Sequence, residues 1–138
     1  MSKPVRRHRR PYRNGYVRQH SRGTRAERRF FEAIRRYRRL FPQWLFDIRQ
    51  ATPELDRAGV DAVIYTTEAI FYPNIKSDAD GESVRYHMFK YPLIPYIVVH
   101  SEENYQQIFD RTVETAMALR EEFFARQCSA QSPRRQSQ

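Results

Sequence analysis

Four residues carry the types and spacing that chemistry on a phosphate needs: Glu27, Asp61, Asn74 and Lys76. Two β-branched and aromatic runs, Val60–Thr66 and Ala69–Ser77, flank Thr67-Glu68 and read as a hairpin. A loop centred on that pair makes opposed residue numbers sum to 135, which sets Asp61 opposite Asn74. Asn74 and Lys76 are two apart and share a strand face. A carboxylate, an amide oxygen and an ammonium on one side of a hairpin can hold a divalent cation and a water beside a phosphate. Glu27 adds a carboxylate on the inward stripe of the preceding helix, three and four residues before Phe30 and Phe31. An inward carboxylate is there either to cap the helix or to bind something.

The elements that must position these groups are legible in outline. Thr24-Arg25-Ala26-Glu27 matches a capping box and predicts a helix from Thr24 to Phe41, stopping before Pro42. Its apolar stripe is Phe30, Phe31, Ile34, Tyr37 and Phe41; Arg28, Arg29, Arg35, Arg36, Arg38 and Arg39 take much of the rest. Trp44–Gln50 alternates as a first strand, with Trp44, Phe46 and Ile48 on one face. A polar loop, Thr52–Gly59, precedes the hairpin. Asp78-Ala79-Asp80-Gly81 signals a turn, with a short helix expected near Glu82–Lys90. Ile94–His100 reads as a fourth strand, and Ser101 as the cap of a long helix, Glu102 to Gln127. The expected fold class is α/β: an αβββ(α)βα core whose four-stranded mixed sheet lies between helices. Pro73 interrupts the third strand, which places it at an edge or a bulge.

Charge is unevenly spread over the 138 residues. The net value is +9, but residues 1–50 carry +13 and residues 51–138 carry −4. Residues 1–23 hold no acid, two Pro, two Gly and few aliphatics, and predict a disordered basic tail. Its Arg6, Arg7, Arg9, Arg10, Arg13, Arg18 and Arg22, interleaved with Tyr12 and Tyr16, suit phosphate contact and base stacking. The arginine face of the first helix adds to that attraction. The chain therefore divides into the tail, a domain over 24–127 and a polar C-terminal tail over 128–138. The single Cys128 excludes a disulfide framework and a CxxC zinc site, and fits a reducing, cytoplasmic compartment. No apolar run reaches transmembrane length. The expected partners are nucleic acid, DNA before RNA, and a second copy of the chain, with no membrane.

The constellation resembles the PD-(D/E)xK, or restriction-endonuclease-like, nuclease superfamily. The resemblance rests on Glu27, on Gly59-Val60-Asp61-Ala62-Val63 entering the second strand, and on Asn74-Ile75-Lys76-Ser77 ending the third. It implies that Asp61 and Asn74 ligate Mg²⁺ or Mn²⁺, with Glu27 as an auxiliary ligand. It implies that Lys76 orients the attacking water and steadies charge on the phosphate. The activity would be hydrolysis of phosphodiesters in nucleic acid, as an endonuclease or exonuclease. Two positions depart from the family pattern: Val60 stands in place of proline, and neutral Asn74 in place of Glu or Gln. The second departure opens an alternative, a catalytically degenerate nuclease fold that only binds nucleic acid. An adaptor with a basic RNA- or DNA-binding tail is the third reading.

Overall fold

The structure is a computed structural model. It describes residues 10–77, 85, 90 and 93–136, with side chains from residue 24 to residue 130 of that set. The elements in order are helix α1 (Arg10–Tyr37), a 3₁₀ turn (Arg38–Leu40), strand β1 (Leu45–Gln50), short helix α2 (Pro53–Arg57), strands β2 (Ala62–Thr66), β3 (Ile70–Phe71), β4 (Asn74–Ser77) and β5 (Tyr96–Val99), and helix α3 (Tyr105–Gln136). The fold is mixed α/β, with a three-stranded antiparallel sheet β1-β2-β3 and a two-stranded parallel sheet β4-β5.

The expected single four-stranded sheet is split at Pro73. Proline has no N–H to donate to a ladder. The β2–β3 pairing ends after Ile64↔Phe71 and Tyr65↔Ile70, the register in which residue numbers sum to 135. Beyond Pro73 the chain changes neighbour: β4 pairs with β5 from Asn74↔Tyr96 to Ser77↔Val99. Both long helices meet the sheets: Phe123 of α3 lies edge-on to Phe71 of β3. Helix α1 packs on α3, β4 and β5, and α3 also packs on β5.

Helix α1 starts at Arg10, so residues 10–23 are helical and not a disordered tail. Pro11 lies in the first turn, where a missing N–H is tolerated. Thr24 is consequently mid-helix and caps nothing. The helix buries Ala26, Phe30, Ala33 and Ile34, with Phe31, Tyr37 and Phe41 half-buried against the same cluster. Arg29 is not part of an idle charged face. Its guanidinium donates to the backbone carbonyls of His100 (3.1 Å) and Glu103, tying α1 to the turn between β5 and α3.

Strand β1 does not alternate throughout. A register shift between Leu45 and Asp47 turns Leu45 and Ile48 inward and leaves Phe46 62% exposed. This reverses the expected inward role of Phe46, because a bulged residue has no partner to set its face. Residues 52–59 are not wholly loop: Thr52 caps α2 by accepting from the Leu55 N–H. Helix α3 is capped by Asn104, not Ser101. Asn104 Oδ1 accepts from Gln107 N and Gln107 Oε1 accepts from Asn104 N, both at 2.8 Å. Helix α3 continues to Gln136, through most of the expected polar tail and past Pro133.

The turn at Asp78–Gly81 and the helix near Glu82–Lys90 lie outside the described residues, apart from helical and exposed Arg85 and Lys90. Arg6, Arg7 and Arg9 also lie outside them. No helix among the described residues is long and apolar enough to cross a membrane.

Gly59 joins α2 to β2 with φ at 96°. A Cβ is disfavoured there by about 1–2 kcal/mol. Gly59→Ala should lower stability by about that amount in chemical denaturation, while Ala58→Gly should not reproduce the loss. Equal losses would remove the backbone argument.

Candidate active site

Asp61 is held at the point where β2 and β4 part. Its N–H donates to Pro73 O (2.9 Å) and its carbonyl accepts from Ala51 N (3.0 Å). The Ala62 N–H also donates to Pro73 O, at 3.2 Å. Pro73 thus contributes an acceptor at the place where it can offer no donor. The fork leaves room for the Asp61 side chain to turn across to β4, where Oδ2 accepts from the Ile75 N–H at 2.8 Å. Asp61 and Asn74 are each only 8% exposed, so their polar atoms need protein partners or a ligand.

Asn74 meets half of that need. Its Nδ2 donates to Gly59 O at 2.7 Å, and its N–H donates to Pro95 O at 2.8 Å. The first bond fixes the amide orientation, because a flipped amide would set two oxygens against each other. Asn74 Oδ1 is then left buried without a hydrogen-bond partner, and no other side-chain atom among the described residues shares that condition. An orphaned buried acceptor is costly and calls for a donor or a cation.

Two carboxylates meet between α1 and the start of β2. Glu27, half-buried on α1, is raised to about 7, first by burial and then by the Asp61 and Asp56 charges and a hydrogen bond with Asp61; Lys76 opposes the shift. Asp61 is raised to about 6, first by burial; Asp56 adds to the rise, while the Ile75 N–H and Lys76 oppose it. Lys76, half-buried on β4, is the cation near both.

The structure brings together Glu27, Asp61 and Lys76; Asn74 shares β4 with Lys76 but pairs with Tyr96, not with Asp61 as the hairpin register predicts. The structure also decides between the two expected roles of Glu27. Thr24 caps nothing, so Glu27 is not a capping-box glutamate but an interior helix residue facing Asp61. Asp56 was not expected in the site. It comes from α2, and the only signal in the sequence is that Gly59 turns the chain sharply between Asp56 and Asp61.

Among the described residues, no group of three or more His, Cys, Asp or Glu side chains stands ready to hold a metal ion. A cation here would have to draw on the Asn74 amide oxygen together with Asp61 and Glu27. That donor set, all oxygen, suits Mg²⁺ or Mn²⁺. The unpartnered Oδ1 is the feature that fits such an ion.

Glu68, at the hairpin turn, serves elsewhere. It pairs with Arg120 of α3 through two hydrogen bonds, 2.7 and 2.8 Å, and the Arg120 guanidinium lies 4.3 Å from the Trp44 ring centroid. This clamp ties the β2–β3 hairpin to α3 and keeps Glu68 out of the site. Comparison with protein-family models, with curated proteins and with solved structures finds no match for this chain.

A raised carboxylate makes the folded chain hold a proton that the unfolded chain has released. Between about pH 4.5 and pH 7, Glu27 should thus cost stability as pH rises. Wild type should lose melting temperature between pH 5 and pH 8 relative to Glu27→Gln. Parallel pH profiles for the two proteins would show that the Glu27 carboxyl is not raised.

Proposed function

We propose that this chain is a divalent-cation-dependent phosphodiesterase acting on nucleic acid, DNA before RNA, and a relative of the PD-(D/E)xK nucleases. The observation that carries the reading is the meeting of Glu27, Asp61 and Lys76, with a buried, unpartnered Asn74 Oδ1 two residues from Lys76 on the same strand. Asp61, Asn74 and Glu27 would hold Mg²⁺ or Mn²⁺. When bound, such an ion stabilises negative charge on a phosphoryl oxygen and acidifies a water. Asp61 is fixed for that work by its backbone and by the Ile75 N–H, and Asn74 by Gly59 O. The Lys76 ammonium favours an anionic phosphate over the carboxylates and steadies the charge that builds as the ester bond breaks. The raised carboxylates also imply that cation binding releases protons, so affinity for the ion should rise with pH up to about 7.

Plasmid nicking in Mg²⁺ or Mn²⁺ tests this. Wild type should cut, and Asp61→Ala and Lys76→Ala should each lower the rate by at least about a hundredfold, the scale on which single transition-state contacts act. No cutting by wild type, or full cutting by both variants, would contradict it.

A second reading, binding without hydrolysis, is favoured by one feature. Asn74 supplies an oxygen but no charge, which weakens a hard-cation site. Under that reading wild type binds nucleic acid but does not nick it, and Asn74→Glu raises Mn²⁺ affinity in calorimetry by about tenfold or more. Tight Mn²⁺ binding and nicking by wild type would exclude it.

A further inference from the structure

Helix α1 has two faces with different chemistry. Ala26, Phe30, Ala33 and Ile34 turn to the core. On the opposite side Arg25, Arg28, Arg35 and Arg36 are exposed, and Arg39 continues the row in the 3₁₀ turn. Glu27 lies on the flank between them, half-buried and turned to Asp61. At 100° per residue, the centre of the arginine row is about as far from the core stripe as the helix surface allows.

Glu32 is the one acid in that row. It accepts from Arg35 and from Arg36 (2.7 Å), which hold its carboxyl down to about 2. Arg36 also lies 4.3 Å from the Tyr105 ring centroid. Arg35 and Arg36 are therefore anchored, though still 71% and 51% exposed. No acid stands against Arg25, Arg28 or Arg39 among the described residues. From Arg25 to Arg36 the row extends about 16 Å, at about 1.5 Å per residue. That is the length of about five phosphate steps along one strand of a duplex, at about 3.4 Å each.

We propose that the outer face of α1, built from Arg25, Arg28, Arg35, Arg36 and Arg39, is a track for a nucleic-acid phosphate backbone, separate from the carboxylate site and turned away from it. The partner follows from charge: an exposed row of guanidiniums about 16 Å long, with its one carboxylate already neutralised, matches a linear polyanion. The row lacks the exposed apolar side chains that a helix lying in a lipid interface would need. Nucleic acid as the partner rests on the proposed function. The track adds that the stretch of backbone held by α1 is not the stretch at Asp61. Holding then belongs to the outer face of α1, and cutting to the strands beside its Glu27 flank.

The test is fluorescence anisotropy of the full chain with a labelled 20-base-pair duplex, in EDTA, over a range of salt. Wild type and the triple variant Arg25→Gln/Arg28→Gln/Arg39→Gln are compared, with Arg126→Gln on α3 as a charge control. All four arginines are exposed, and circular dichroism checks the fold. The triple variant should bind at least about tenfold more weakly at 0.1 M salt. Its log–log salt slope should be shallower by about 2–3, at about 0.9 for each phosphate no longer neutralised. Arg126→Gln should change neither. An unchanged slope in the triple variant, or an equal loss in Arg126→Gln, would overturn the track. So would tighter binding to phosphatidylserine vesicles than to the duplex with the same arginine dependence. EDTA removes cleavage from the readout. Failure of the track leaves the nicking result standing, and failure of nicking leaves the track standing.

Discussion

The site depends on one missing donor. Pro73 cannot give a hydrogen bond to β2, so the strand that begins as β3 must leave its neighbour there and rejoin the fold beside β5. The parting of β2 and β4 would strand the N–H groups of Asp61, Ala62 and Ile75. The first two are satisfied by the Pro73 carbonyl, the third by the Asp61 carboxylate. A backbone accommodation and a candidate site residue are thus the same event. Asp61 is buried because the fork needs its carboxylate, and the same carboxylate faces Glu27.

The carboxylate pair is expensive in isolation. Both groups are pushed toward their neutral forms, above all by burial and then by neighbouring carboxylates. Asn74 Oδ1 adds an acceptor with nothing to accept. Three oxygen-bearing side chains set in this way raise the free energy of the folded chain, and Lys76 offsets only part of it. Proteins keep such arrangements where a ligand relieves them. A divalent cation would do so in one step, replacing carboxylate repulsion with ligation and giving Asn74 Oδ1 a partner. Helix α1 serves both ends of this account, since its flank carries Glu27 and its outer face carries the arginines.

Much of this is legible in the sequence. The hairpin register follows from the loop centre at Thr67-Glu68, and the observed pairs Ile64↔Phe71 and Tyr65↔Ile70 keep it. Pro73 announces the interruption, although a lone proline does not say which strand the chain will join next. What misleads is local chemistry overruled by its surroundings. Thr24-x-x-Glu27 has the form of a cap, but Pro11 at a first turn allows the helix to start earlier and leaves Glu27 for other use. Ser101 is a plausible cap, yet the reciprocal pair Asn104 and Gln107 satisfies the α3 terminus better. Phe46 looks inward by alternation until a bulge displaces it. Asp56 is hidden because loop residues carry no period, and only the turn at Gly59 brings it to Asp61. Charge is the least deceptive signal: Arg25, Arg28, Arg35 and Arg36 are exposed along the helix, and Arg39 follows them in the 3₁₀ turn, while Arg29 alone of the helix arginines at 25–36 turns to backbone carbonyls.

The central claim is that Glu27, Asp61, Asn74 and Lys76 form one cation-dependent site. A crystal structure of the chain soaked in Mn²⁺ at pH 7.5, with anomalous data, tests it most directly. The account predicts one anomalous peak about 2–2.5 Å from Asn74 Oδ1, with Asp61 and Glu27 oxygens in the same coordination sphere, the distance range of hard divalent cations on oxygen. A map with no peak there, and with Asn74 Oδ1 bonded to a protein donor, would contradict it.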